Sequence, residues 1–198
     1  MNATGLRAAV LALQGDVREH AAALRAAGAV DVIEVRRPSA LEGVDALVVP
    51  GGESTTIGRL MRENGLDEAI TTRVGEGMAV LGTCAGLILL AAEVEQSGQP
   101  PLGLLPIRVR RNAYGRQVDS FETSLQVDAL GGTPLPAVFI RAPKVLDVAD
   151  GVSVLARHAG DPVLLRWGRL LGATFHPEMT ADRRIHRYLL DLARGDQP

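Results

Sequence analysis

The chain contains the segment Met78-Ala79-Val80-Leu81-Gly82-Thr83-Cys84-Ala85-Gly86-Leu87-Ile88-Leu89-Leu90, in which two apolar runs are joined through a cysteine. We predict a buried strand, a tight turn at Cys84 and a helix over Leu87–Ala92. Glycines lie two positions before and two positions after the cysteine, at Gly82 and Gly86. A sharp turn from strand to helix needs small neighbours, because its strained backbone leaves little room for side chains. The spacing therefore predicts a nucleophile elbow, which presents the thiol above the carboxyl edge of a sheet.

Cys84 is the one cysteine among 198 residues, which excludes an internal disulfide and a multi-cysteine metal site. A small buried side chain at an ordinary strand-to-helix turn is the alternative interpretation of this residue. The two flanking glycines favour a reactive thiol. A helix N-terminus would also stabilise negative charge on the sulfur, and the backbone N–H of Ala85 would face a developing oxyanion.

Short apolar runs alternate with amphipathic stretches through the first half of the chain, a pattern typical of α/β folds. The predicted strands of this half are Ala8–Leu13, Val32–Val35, Ala46–Val49 and Met78–Leu81. The predicted helices between them are Asp16–Ala27, Ser54–Arg62 and Leu66–Val74.

Beyond Glu95 the pattern changes to strands and hairpins, followed by a last strand and a closing helix. The hairpin strands are predicted at Ile107–Arg110, Ser124–Val127, Val138–Ile140, Val152–Ala156 and Pro162–Arg166. The last strand is predicted at Leu170–Phe175 and the helix at Asp182–Arg194. We expect a three-layer α/β fold, in which a mostly parallel central sheet has helices on both faces and extra antiparallel hairpin strands. A single domain is expected to span residues 1–198.

Composition narrows the possible partners. Hydrophobic residues make up 46% of the chain and aromatic residues 3%, so the core must consist mainly of aliphatic side chains. The formal net charge of −2 gives no reason to expect a nucleic-acid or membrane partner. With no targeting segment and no bilayer-spanning stretch recognised, we expect a soluble, cytoplasmic protein. No cluster of ligands for a metal or an organic cofactor is recognised, and none is expected.

The sequence His176-Pro177-Glu178 directly follows the last predicted strand. Residues two apart in extended chain project to the same side, and Pro177 biases His176 toward extended geometry. We therefore expect the Glu178 carboxylate beside the imidazole, where it would fix the tautomer and stabilise the imidazolium. Because parallel strands end at one edge, this pair is expected to meet Cys84 there in a Cys–His–acid arrangement. A polar turn at a strand end is the alternative.

The other three histidines are interpreted as solvated or packing residues. His20 lies in the first amphipathic helix, His158 in a polar turn and His186 on the last helix.

The segment Pro50-Gly51-Gly52-Glu53-Ser54-Thr55-Thr56 follows a predicted strand and opens a predicted helix. Two glycines let the backbone approach a ligand closely and reorient a peptide N–H. Gly51 or Gly52 is therefore a candidate for a second oxyanion donor. The alternative is a phosphate cradle with Ser54 or Thr55 as the helix N-cap. Without the Gly-Lys-Ser/Thr ending of a P-loop, the segment is a weak nucleotide motif.

Arginines follow two of the predicted hairpin strands, at Arg111 and Arg141. A planar guanidinium suits the carboxylate of a ligand such as a free amino acid. Surface charge is the alternative interpretation of each arginine.

Taken in order, these segments resemble the glutaminase subunits of the pyridoxal 5′-phosphate synthase complex, within the class I glutamine amidotransferase-like family. The match runs from about Leu6 to Tyr188. It is carried by Leu13-Gln14-Gly15-Asp16-Val17-Arg18-Glu19-His20, Pro50 to Thr56, Gly82-Thr83-Cys84-Ala85-Gly86, Arg111-Asn112, Gly115-Arg116-Gln117-Val118-Asp119-Ser120-Phe121-Glu122, Phe139-Ile140-Arg141-Ala142-Pro143 and Phe175-His176-Pro177-Glu178.

The resemblance implies that Cys84 is the nucleophile of a glutaminase and that His176 and Glu178 complete its catalytic triad. It implies glutamine contacts from Gly51, Gly52, Glu53, Arg111, Ile140 and Arg141. It also implies a partner, a (β/α)8-barrel synthase subunit in a large hetero-oligomer that makes pyridoxal 5′-phosphate with the ammonia released.

Two other functions fit the motifs. A cysteine peptidase or γ-glutamyl hydrolase of the same fold would hydrolyse γ-glutamyl peptides and would need a site open enough to admit them. A phosphate-binding module without catalytic activity would instead use the loop from Gly51 to Thr56.

Overall fold

The computed structural model describes residues 5–95, 99–111 and 120–196. Five α-helices lie in these ranges: α1 Val17–Ala26, α2 Ser54–Glu63, α3 Leu66–Gly75, α4 Ala85–Leu90 and α5 Arg184–Arg194. The strands are β1 Arg7–Leu11, β2 Asp31–Val35, β3 Ala46–Val49, β4 Ala79–Thr83, β5 Ala91–Glu95, β6 Leu105–Arg110, β7 Ser120–Leu125, β8 Leu135–Ile140, β9 Lys144–Val148, β10 Ser153–His158, β11 Asp161–Trp167 and β12 Leu170–Ala173.

The central sheet has seven strands in the order β10-β11-β12-β4-β3-β1-β2. The five strands from β12 to β2 run parallel to one another, while β10 and β11 pair antiparallel at one edge. Two smaller sheets contain the remaining strands, β5-β6-β9 and the antiparallel pair β7-β8. In this order β4 lies between β3 and β12, so the chain leaving these three strands meets at one sheet edge.

The core consists of one apolar cluster on each face of the central sheet. Successive residues of a strand point to opposite faces, and in β1 Val10 joins one cluster while Ala9 and Leu11 join the other. Helices α1 and α5 and the pair β7-β8 cover the first face. Helices α2, α3 and α4 and the sheet β5-β6-β9 cover the second. This burial on both faces explains the continuous apolar runs in the sequence.

The fold class expected from the sequence is confirmed, although several boundaries differ. Strand β3 has the predicted bounds. Helix α4 begins two residues earlier than predicted and ends at Leu90, because strand β5 starts at Ala91. The prediction for Ser124–Val127 was displaced, since β7 covers Ser120–Leu125. Strands β5 and β9 had not been predicted. Among the described residues, no helix is long and apolar enough to cross a membrane.

Replacing Gly86 by alanine is expected to lower the free energy of unfolding by about 1–3 kcal/mol, the usual cost of overpacking. The added Cβ would lie 1.9 Å from the carbonyl oxygen of Val49, where neither backbone segment can give way. Urea denaturation measures the change.

Gly75→Ala is the matched control, because no atom beyond its chain neighbours and its own helix backbone lies within 4 Å of the added Cβ, and its φ is not in the left-handed region. This variant should be as stable as the parent or slightly more stable. Equal stability of the two variants would contradict the packing argument.

Candidate active site

Cys84 is the single residue between β4 and α4, and its backbone is strained. Its φ of 48° and ψ of −101° lie where L residues rarely occur. The Cys84 N–H donates to the carbonyl of Ala173 at 2.8 Å, which ties the turn to β12. Its side chain is largely buried but reaches the lining of a pocket. The elbow predicted from the sequence is therefore the observed local structure.

The two glycines flanking the elbow are required by packing. A Cβ at Gly82 would lie 2.6 Å from a methyl group of Leu90 and 2.7 Å from the backbone of Gly86. A Cβ at Gly86 would collide with the backbone of β3. Real Cβ atoms are not found so close to backbone atoms, so larger side chains at either position would displace α4 from the sheet.

His176 and Glu178 follow β12 and form the expected pair. The Nδ1 atom of His176 lies 2.7 Å from Oε1 of Glu178, and the glutamate side chain is fully buried. The prediction of extended backbone here was wrong, because Pro177–Met179 forms a 3-10 turn. The turn, rather than the alternation of a strand, brings the carboxylate to the ring.

The electrostatics of the pair favour a charged imidazole. Burial alone would lower the pKa of His176, but side-chain hydrogen bonds with Asp16, Cys84 and Glu178 outweigh it and raise that pKa to about 12. Burial raises the pKa of Glu178, while the neighbouring His176 opposes that shift. The sulfur of Cys84 lies 3.9 Å from the carbonyl oxygen of Ile140, and Cys84 lines the same pocket as His176, which is bonded to Glu178.

Asp16 is a member of this group that the sequence did not single out. Its Oδ2 atom lies 3.3 Å from Nδ1 of His176, so two carboxylates face one ring nitrogen. A hydrogen bond with His176 lowers the pKa of Asp16. Asp16 lies directly before α1, in the resemblance segment ending at His20. Its place in that segment was the available signal, but no local spacing linked it to a histidine 160 residues away.

The glycine loop contacts both this group and the first helix. A Cβ at Gly51 would lie 2.5 Å from Cε1 of His176, so only glycine fits beside the ring. The Gly51 carbonyl accepts from the N–H of Asp16 at 3.3 Å. The N–H of Glu53 donates to the side-chain oxygen of Gln14 at 2.8 Å. The segment before α1 therefore forms hydrogen bonds with two peptide groups of the glycine loop.

The N-terminus of α2 is occupied by a carboxylate of the chain itself. Glu53 is the N-cap, and its oxygens accept from the N–H groups of Thr55 and Thr56 at 3.1 and 2.7 Å. Desolvation works to raise the pKa of Glu53, but these hydrogen bonds lower it to about 2. Ser54 and Thr55 are thus not the N-cap expected in the phosphate-cradle alternative. The bound carboxylate repels a phosphate, which disfavours that alternative.

The pocket in front of the thiol has a volume of about 400 Å³. Most of the residues expected to contact a ligand line it together with Cys84 and His176, namely Gly52, Glu53, Ala85, Arg111, Ile140 and Arg141. The pocket is also lined by Gln14, Asp16, Ser54, Ile88 and Met179. Asn112 and residues 115–119 of the resemblance segments lie outside the described residues.

Two arginines contribute positive charge to the pocket. Arg111 pairs with Glu53 at 3.1 Å, so it is not a free surface charge. Arg141 directly follows β8 and has a φ of 42°, an unusual backbone conformation for a residue with a side chain. Both arginines line the pocket together with Glu53, so the pocket presents both signs of charge.

One set of side chains among the described residues could hold a metal ion, and it belongs to the same group. Ligand atoms of Asp16, His176 and Glu178 all lie within 4.8 Å of one another. An ion bound there would have to replace the 2.7 Å hydrogen bond between His176 and Glu178.

Comparison with known proteins identifies the family of the chain. The model of the SNO glutamine amidotransferase family matches residues 10–193. Proteins called pyridoxal 5′-phosphate synthase subunit PdxT occur among the relatives. The one from Parafrankia is 56% identical over 192 residues, covering 96% of this chain and 94% of the relative. The one from Thermus thermophilus is 56% identical over 93% of this chain and 96% of its own length. The one from Thermotoga neapolitana is 47% identical over 96% and 100%.

Solved structures show the same fold. A glutamine amidotransferase crystal structure superimposes with a TM-score of 0.90 at 53% identity, covering 94% of this chain and 98% of that one. PurLQS from Thermotoga maritima has a TM-score of 0.69 at 17% identity, over 98% and 97%, which supports the fold alone. The fold is therefore that of the class I glutamine amidotransferases. The chain belongs to the SNO glutamine amidotransferase family, which confirms the resemblance seen in its motifs.

Asp16→Asn is expected to lower the pKa of His176, because it removes a negative charge 3.3 Å from Nδ1. The pKa in the parent is about 12, and the variant should titrate at lower pH. Carbon-13 shifts of the labelled imidazole, followed by NMR as the pH is raised, measure both values.

Asp182→Asn serves as the control, since the Asp182 carboxylate binds Arg184. This variant should leave the pKa of His176 at its value in the parent. A value for Asp16→Asn that matches this control would show that Asp16 has no electrostatic influence on the imidazole.

Proposed function

We propose that this protein hydrolyses glutamine to glutamate and ammonia with Cys84, His176 and Glu178, and supplies the ammonia to a synthase that makes pyridoxal 5′-phosphate. The observation that carries the proposal is one pocket lined by Cys84, His176 and five of the six residues expected to contact glutamine. The names of the relatives, which are subunits of pyridoxal 5′-phosphate synthase, support the second part.

In the first step the thiolate of Cys84, whose proton is carried by the imidazolium of His176, attacks the side-chain carboxamide carbon of glutamine. The imidazolium of His176 gives its proton to the departing nitrogen, so ammonia leaves and a γ-glutamyl thioester remains. The neutral ring then takes a proton from water, which attacks the thioester and releases glutamate. Glu178 stabilises the charged ring from 2.7 Å away.

The oxyanion formed in each step needs two hydrogen-bond donors. We assign these to the N–H of Ala85, next to the nucleophile, and to one N–H of the Gly51-Gly52 loop. Gly52 and Ala85 both line the pocket, which supports the assignment. Loss of one such donor is expected to raise the activation free energy by about 2.7–4 kcal/mol.

The charged residues that line the pocket suit the α-amino and α-carboxylate groups of glutamine. Glu53 would bind the ammonium group, while Arg111 and Arg141 would bind the carboxylate. The ion pair between Arg111 and Glu53 spans 3.1 Å, so the two opposite charges are already close together. A γ-glutamyl peptide carries the same two groups, so turnover rather than this recognition separates glutamine from such peptides as the substrate.

The partner in this proposal is a (β/α)8-barrel synthase subunit in a large hetero-oligomer. A single glutaminase domain accounts for the described elements, and the synthase chemistry would belong to the other subunit. We place the reaction in the cytoplasm, because a catalytic thiolate needs a reducing compartment.

The loop before α1 is a candidate segment through which the partner subunit controls the glutaminase activity. Gln14 and Asp16 hold the peptide groups of Glu53 and Gly51. A subunit that docks beside α1 could reorient the glycine peptide and complete the oxyanion site.

Cys84→Ala should abolish the release of ammonia from glutamine and leave the protein folded, because the substituted side chain is small and lies at a pocket. Ammonia and glutamate are assayed with glutamine and the barrel subunit present, and circular dichroism checks the fold. Retained turnover would refute the proposed function. Turnover of γ-glutamyl peptides by the parent, without turnover of glutamine, would favour the hydrolase alternative.

Adding the barrel subunit should raise the rate of glutamine hydrolysis well above that of the isolated chain. The matched variant Gln14→Ala removes the acceptor of the Glu53 N–H and should reduce this increase. The control Arg194→Ala removes an exposed side chain that pairs with Asp191 at the end of α5 and should leave the increase unchanged. Equal rates with and without the partner would contradict the proposed control.

A further inference from the structure

Buried polar side chains continue from the catalytic carboxylate into the protein interior. Oε1 of Glu178 faces His176, while Oε2 lies 3.2 Å from Nε2 of His20, and the side chains of His20 and Glu178 are fully buried. Nε2 of His20 also lies 3.0 Å from the hydroxyl of Thr83. On the other side of the ring, Nδ1 lies 3.0 Å from Nε2 of His186. The proposed mechanism uses neither His20 nor His186.

Burial favours the neutral form of both histidines. Burial lowers the pKa of His20 well below its usual value, and repulsion by a charge that His186 would carry, or that His176 carries, lowers it further. Burial and the nearby charge of Arg183 lower the pKa of His186 to about 3. Each ring therefore carries one N–H and one acceptor nitrogen.

The carboxylate fixes which nitrogen carries each proton. A bare Nε2 of His20 would place a lone pair against Oε2 of Glu178, so this nitrogen carries the hydrogen. Nδ1 of His20 must then accept, and Nε2 of His186 donates to it. This leaves Nδ1 of His186 without a hydrogen, and that atom has no hydrogen-bond partner among the residues that the structure describes. An unpaired acceptor is tolerated more readily than an unpaired N–H.

The contact with the carboxylate is electrostatic rather than a full hydrogen bond. The N–H of His20 is directed at Thr83, and Oε2 of Glu178 has no hydrogen-bond partner within the described ranges. Nε2 of His20 nevertheless lies 3.2 Å from that oxygen, close enough for the N–H dipole to stabilise its negative charge. In a buried site such a dipole acts with little screening.

We propose that His20 is a positioning residue, whose neutral ring, oriented by His186, holds the carboxylate of Glu178 so that Oε1 meets His176. Because Asp16 also faces Nδ1 of His176, this hold ensures that the buried glutamate remains a partner of the ring. The inference rests on the proposed function, since it concerns the same triad.

The first helix therefore supplies two contacts to the triad. Asp16 reaches the imidazole, and His20, one turn further along, reaches the carboxylate. The titratable and charged groups that influence this region are Asp16, His176 and Glu178 on the side of the pocket and Arg183 before α5.

Three variants, assayed with glutamine and the barrel subunit, test the role of His20. His20→Leu fills the space without a donor and should lower kcat about tenfold to hundredfold, as for other lost partners of a site residue, with KM unchanged. Without the donor the pKa of Glu178 rises. When the solution is acidified, the variant should therefore lose activity at a higher pH than the parent does. His20→Gln keeps an N–H near the position of Nε2. This variant should restore most of the kcat and most of the parent's pH profile.

Leu24→Ala is the matched control, because Leu24 is a buried residue one turn further along α1. It should lower Tm while leaving the acidic limit of the activity profile unchanged. The proposal would be overturned if His20→Leu had the kcat and pH profile of the parent, or if Leu24→Ala reproduced the shift of the acidic limit.

The tautomers give a second test that does not depend on activity. The chain has four histidines, so nitrogen-15 NMR can resolve each ring. His20 and His186 should stay neutral with hydrogen on Nε2 from about pH 5 to 8. Hydrogen on Nδ1 of His20 would overturn the inference even in an active enzyme. A parent without glutaminase activity would refute the proposed function instead, and the tautomers would still decide whether His20 faces Glu178 as a donor.

Discussion

The architecture of the pocket depends on one tight turn, at which β4 ends and α4 begins within a single residue. Cys84 adopts a backbone conformation that is unfavourable by itself, with a φ of 48°. The turn is held by neighbours on both sides, through the N–H bond to Ala173 in β12 and the contact of Gly86 with Val49 in β3. The same two strands lead into the histidine and the glycine loop, so the contacts that hold the turn also fix the geometry of the site.

The second constraint is electrostatic. A buried carboxylate and a buried imidazolium are each costly alone and become tolerable as a pair. Burial raises the pKa of Glu178, and the surrounding hydrogen bonds raise the pKa of His176 to about 12. Because α1 brings Asp16 to one member of the pair and His20 to the other, this helix is part of the electrostatic environment of the site and not only a cover for the sheet.

Sequence patterns predicted the elements whose burial is regular and missed those whose burial is not. Strand β3 is buried on both faces and was predicted with its observed bounds. Strand β5 begins directly where α4 ends, without a turn residue between them, so its start was assigned to the helix. Strand β9 carries the charged residues Lys144 and Asp147 in a small sheet, and lacks a clear apolar alternation. In such segments the tertiary contacts, rather than local preference, decide the conformation.

By itself the sequence determined the candidate nucleophile and its nearest partners, because these are encoded at short spacing. The glycines lie two residues from Cys84, and Glu178 lies two residues from His176. The tertiary structure alone decided that Asp16 faces the ring of His176 and that His20 and His186 meet behind Glu178. His20 and His186 are 166 residues apart in the chain. Such a contact has no local signature, because it arises when two helices pack on the same face of one sheet and bury their polar side chains together.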